Sequence, residues 1–151
     1  MGMLERRVGG GRLGLLKFGL FLVLVGIIVG ITPNIASEVS SFIGDLQLQQ
    51  IYSHVFFPLP TNAHPVLYNA VFLFCVGWGI VQLAFFAAHL VVRDGLEAAH
   101  TLSSAVFWFG SAYIILYLIL QSAPFPIVLG YFIVLVGISV IVRVLGHLVS
   151  R

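Results

Sequence analysis

The chain has 151 residues; 60% are hydrophobic and 8% are charged, seven Lys or Arg against five Asp or Glu. Soluble domains carry about a quarter charged residues, so this composition cannot cover a water-facing globule. A net charge of +2 on so apolar a chain also excludes intrinsic disorder and a nucleic-acid-binding basic face, leaving an integral membrane protein of one domain.

Four apolar stretches follow one another. The first runs Leu13 to Ile31 with one charge, Lys17, near its start. The second, Val66 to Val92, and the third, Thr101 to Ala123, carry no charge. The fourth runs Phe125 to Val149 and meets Arg143 and His147 near its end. At about 1.5 Å of rise per residue, each can cross a hydrocarbon core about 30 Å thick. They must be helices, because backbone facing lipid has to satisfy its own hydrogen bonds. The runs are too long and continuous for a β-barrel.

The expected class is therefore all-α integral membrane, a four-transmembrane-helix bundle with spans near 13–32, 66–92, 98–123 and 125–149. Thr32-Pro33-Asn34 closes the first span, and His64-Pro65 precedes the second. Asp94 and Glu97 have capping-box spacing at the start of the third. Ala123-Pro124-Phe125-Pro126 leaves only a tight turn, which makes the third and fourth spans antiparallel neighbours.

The segment 33–65 is long for a loop. Ile35, Val39, Phe42, Ile43 and Leu46 repeat at helical spacing, so an amphipathic helix is expected over about 34–50, with Pro33 in its first turn. It would lie in the interface or dip back in as a re-entrant segment. Pro58, Pro60 and Pro65 mark Phe56 to Pro65 as irregular.

Basic residues decide the expected orientation. Arg6, Arg7, Arg12 and Lys17 lie before or at the start of the first span, Arg93 between the second and third, and Arg143 and Arg151 at the end of the fourth. Four crossings put all of them on one side, so the positive-inside rule places both termini in the cytoplasm and 33–65 outside. Tyr68, Tyr117 and Tyr131 fall near the outer ends, as an aromatic belt would. Arg6-Arg7 before an apolar run is read as an uncleaved first span, since no Ala-x-Ala site follows it.

Helices in lipid associate by close packing rather than by the hydrophobic effect. Gly26-x-x-x-Gly30 in the first span, and Gly130 with Gly137 in the fourth, supply small faces for packing within the bundle or for a seam with another subunit. Packing within the bundle is the favoured reading. Cys75, Trp78, Gln82, Phe85 and His89 form a stripe on the second span. His100, Ser104, Trp108 and Ser111 share a face of the third, whose other face carries Ser103, Phe107, Gly110 and Gln121. Gln82, Ser104 and Ser111 suit either a hydrogen-bonded interior or a polar path. Cys75 stands alone, so no intrachain disulfide can form.

His89, Glu97, His100 and His147 gather toward the inner interface, with Asp94; Glu38, Asp45, His54 and His64 lie outside. Imidazole and carboxylate ligate metals, and His89 with His100 could clamp a haem between helices. None of these spacings is diagnostic, and the expectation is no cofactor. Gly9-x-Gly11-x-x-Gly14 fits a dinucleotide pattern without the strand that such a site needs. No nucleophile-elbow, zinc-protease or phosphate-loop motif occurs, and no enzyme is expected. The functional expectation is an accessory or scaffold subunit in a larger membrane complex. Its partners would be the lipid bilayer and other membrane subunits or copies of itself, with no nucleic acid. A homo-oligomeric channel or carrier is the first alternative, and a haem or metal protein the second.

Overall fold

The computed structural model describes the backbone of residues 2–92, 94–121 and 123–149. Side chains are described from residue 14 onward, except at 93, 118–122, 147 and 149–151. The helices are α1 (Gly2–Ile31), α2 (Ile35–Gly44), α3 (Pro65–Val92), α4 (Gly95–Gln121) and α5 (Phe125–Val149). Between α2 and α3, β1 (Leu46–Tyr52) and β2 (Val55–Pro60) pair as an antiparallel hairpin. Four helices carry stretches long and apolar enough to cross a membrane: Gly14–Ile31, Pro65–Val92, Gly95–Tyr117 and Phe125–Gly146.

These four pack as a row in the order α1, α3, α4, α5. Contact is most extensive between α3 and α4, then between α4 and α5, then between α1 and α3; α1 meets neither α4 nor α5 to a comparable degree. The spanning part of α4 is 33% buried and that of α3 28%, against 6% for each of α1 and α5. The inner pair is therefore the core, and the outer pair leaves most of its apolar surface open.

Small residues let the inner helices approach. Ala98, Ala99, Ala105 and Ala112 of α4 are buried, as are Ala70, Cys75 and Gly79 of α3. Gly79 lies under the Phe109 ring, 3.0 Å from where a Cβ would stand. Between α4 and α5, Gly110 sits beneath Leu135, and Gly146 would place a Cβ 2.5 Å from the Cβ of Ala99. The Ser103 hydroxyl adds a cross-helix bond, donating to the Ser139 carbonyl at 2.7 Å. Thr101, fully buried, returns its hydroxyl to the Glu97 and Ala98 carbonyls of its own helix at 2.9 and 3.0 Å. α1 leans on α3 through Leu24 over Gly77, through Phe21 edge-on to Phe74 and Trp78, and through Lys17, whose Nζ stands 5.0 Å over the Phe85 ring.

The segment between α1 and α3 corrects the helix expected over 34–50. α2 begins at Ile35, after Pro33 and after Asn34 in the left-handed region (φ 55°), and it ends at Gly44. Beyond it, Leu-Gln-Leu-Gln alternates with period two, and that pattern pairs as a strand. Nor is Phe56 to Pro65 irregular throughout: β2 reaches Pro60. Leu48 faces Pro58 and Leu46 faces Pro60. Both strands of a two-stranded sheet are edges, where proline is tolerated if the missing N–H would face away from the partner strand. The tip turns through His54 at φ 68°. An isolated hairpin is marginal in stability; this one rests Phe57 against Phe125 of α5, ring centres 5.2 Å apart.

Candidate functional site

Three groups of polar side chains stand out, one at each end of the helices and one between them.

At the hairpin end, Asp45 caps α2 and opens the hairpin. Its carboxylate accepts the Asn62 backbone N–H at 2.6 Å and the Asn62 side-chain amide at 2.9 Å. It also lies 3.2 Å from His64 Nε2. Its carbonyl accepts the Thr61 N–H at 3.3 Å and the Thr61 hydroxyl at 3.4 Å. His64 is buried, its ring edge-on to Phe42 at 5.3 Å, immediately before α3 begins. One carboxylate thus ties the end of α2, the end of β2 and the start of α3. The Asn62 N–H holds its pKa below the ordinary aspartate value; desolvation opposes this, and His64 adds to it. Of the four outer residues grouped by sequence, only Asp45 and His64 meet. Among the described residues, Glu38 and His54 make no ion pair or side-chain hydrogen bond.

Inside the row, Gln82 and Ser111 are buried on the packed pair α3 and α4. Ser104 is half-buried. The Ser111 hydroxyl and His89 Nε2 are enclosed without a hydrogen-bond partner. An unpaired buried polar atom costs about 1–3 kcal/mol, although His89 as a whole is only half-buried.

At the other end, a groove of about 400 Å³ opens between the first turns of α4 and the last turns of α5. Glu97, His100 and Arg143 line it together with Leu96, Val144 and Leu148. Asp94 caps α4, its carboxylate accepting the Glu97 N–H at 3.4 Å. His100 therefore shares its surroundings with a guanidinium, which repels a metal cation. His89 is not among the residues lining this groove, and the side chain of His147 lies outside the described residues. Among the described residues, no three His, Cys, Asp or Glu converge as a metal-binding group.

The glycines singled out for packing meet nothing. A Cβ built at Gly26, Gly30, Gly130 or Gly137 would find no heavy atom within 4 Å. The close approaches are made instead at Gly77, Gly79, Gly110 and Gly146, so the favoured assignment of the first four to packing within the bundle is reversed. Asn62, Thr61 and Ser139 carry polar contacts that no motif announced. Only the turn chemistry of Thr61-Asn62 after a proline-rich strand could have pointed to the first two. No family model, curated protein or solved structure matches the chain.

Proposed function

We propose that this chain is a small polytopic membrane protein that works by association, an accessory or scaffold subunit packing against other membrane subunits or copies of itself. Both termini face the cytoplasm in this reading, and the hairpin lies outside. One observation carries it: the glycine faces of α1 and α5, Gly26 with Gly30 and Gly130 with Gly137, lie unfilled at the two open edges of the row. Glycine in a helix costs roughly 1 kcal/mol relative to alanine. In lipid, its return is the close approach of another helix. Within the chain that return is collected at other glycines.

Purified in mild detergent and weighed intact, the protein should travel as a complex, with further copies or a second chain. Gly26→Ile combined with Gly130→Ile should release it as a monomer. A wild-type monomer with no other chain attached overturns the reading.

A second reading, a channel or carrier with a polar path along Gln82, Ser104 and Ser111, is favoured by the unpartnered Ser111 hydroxyl. A water-filled path would hydrate that atom. It predicts ion or proton flux in liposomes that Gln82→Leu abolishes. Flux equal to that of empty liposomes sinks it.

A further inference from the structure

We infer that the groove between α4 and α5 binds the headgroup of a zwitterionic phospholipid, with the phosphate at Arg143 and His100 and the ammonium at Glu97. The inference is independent of the association proposed above.

Depth is the first support. The membrane-spanning stretch of α4 begins at Gly95, and that of α5 ends at Gly146. The groove's polar residues lie within a turn or two of both limits, where headgroups sit. Its apolar residues, Leu96, Val144 and Leu148, are exposed beside them. A headgroup bound there can lay an acyl chain along them without leaving the bilayer.

Charge is the second support. An arginine within a spanning helix is expensive unless something pairs with it. Among the described residues Arg143 has no ion pair, although Glu97 lines the same groove. Two other described charges lie near that end: Asp94 is turned onto the Glu97 N–H at the start of α4, and Lys17 stands over Phe85 of α3. Arg143 and Glu97 thus present opposite charges to one cavity without meeting each other. A ligand that carries both signs satisfies both. A guanidinium binds phosphate as a charge-assisted donor, and a His100 ring N–H can add a second bond. A metal cation would meet repulsion from Arg143. A headgroup with only negative charge would leave Glu97 opposed to it.

The test uses the full chain, stripped of lipid in detergent and examined by native mass spectrometry. Phosphatidylethanolamine, phosphatidylglycerol, diacylglycerol and inorganic phosphate are each added separately. Phosphatidylethanolamine should be retained about tenfold better than diacylglycerol, which shares the chains and lacks the charges. Inorganic phosphate alone should not be retained. Arg143→Gln should lower phosphatidylethanolamine retention about tenfold, and Arg143→Lys should keep most of it. Glu97→Gln should erase the preference for phosphatidylethanolamine over phosphatidylglycerol. Circular dichroism of each variant checks that the helices remain. Equal retention of diacylglycerol overturns the inference, as does retention of free phosphate or undiminished binding by Arg143→Gln. A phosphatidylglycerol preference that ignores Glu97 overturns it too.

Discussion

Gly146 and Gly137 lie nine residues apart on α5 and differ in everything but residue type. Gly146 is pressed against Ala99 of α4, while Gly137 faces open space. The same contrast separates Gly77 and Gly79 on α3, both packed, from Gly26 and Gly30 on α1, both free. Glycine spacing alone therefore does not locate a seam; the helix face that the fold turns inward does. The inner seams are closed by bare backbone under side chains of the neighbouring helix, from the methyl of Ala99 to Leu24, Leu135 and the Phe109 ring. The outer edges keep the same device unused.

The largest expected effect breaks that contrast where the neighbour can yield least. Gly146→Val drives a Cβ toward the Cβ of Ala99, and the Ala99 Cα stands only 3.3 Å from the same position. Neither atom is the end of a flexible chain, so the helices must separate. Overpacking of this kind costs about 1–3 kcal/mol. Gly137→Val, with nothing to strike, should leave the melting temperature in detergent unchanged. Equal melting of the two variants, followed by intrinsic fluorescence of Trp78 and Trp108, would erase the distinction between seam and edge.

The outer segment is held by a different kind of force, and its failure should be local. No glycine closes it; the Asp45 carboxylate does, through Asn62 and His64. The folded pKa of Asp45 is depressed, so its contribution is complete above the unfolded value and is lost as pH falls through the folded value. Acid below the ordinary carboxylate range should release the hairpin. Amide exchange in 46–60 should then accelerate while α3 and α4 stay protected. Asp45→Ala should reproduce this at neutral pH. Loss of protection in α3 and α4 together with the hairpin would show the clasp to be part of the core instead.

Hydropathy made the spans legible with little error. The helix α5 has the limits Phe125–Val149 of the fourth apolar run, and α3 starts one residue before the second, at Pro65, because lipid sets a minimum length that the sequence must meet. α1 begins at Gly2, well before Leu13, since apolar content marks the spanning part of a helix and not its hydrogen-bonded limits. The hairpin escapes the sequence at a definite place: Ile35 to Leu46 fits a helical period, and that fit runs past Gly44 into residues that already alternate. Sequence position alone places Asp45 and His64 in a loose group with Glu38 and His54. What joins those two, and leaves out His54, is the fold-back of the hairpin, which no local pattern encodes. The facing of Gly26, Gly30, Gly130 and Gly137 was equally out of reach, because a row and a closed bundle can share one pattern of spans.

The smallest effect sharpens the comparison from within the seam. Ser103 donates to the Ser139 carbonyl at 2.7 Å, a polar contact between α4 and α5 set among steric ones. That carbonyl also belongs to a helix, where it can accept from its own chain. Removing the hydroxyl therefore leaves no unpaired charge and little unpaired polarity. Interhelical bonds in membrane proteins average about 0.6 kcal/mol, so Ser103→Ala should lower the melting temperature far less than Gly146→Val. Should Ser103→Ala prove the more damaging, hydrogen bonding rather than close approach would be what joins α4 to α5. The free glycines at the edges would then have no packed counterpart from which to infer their use.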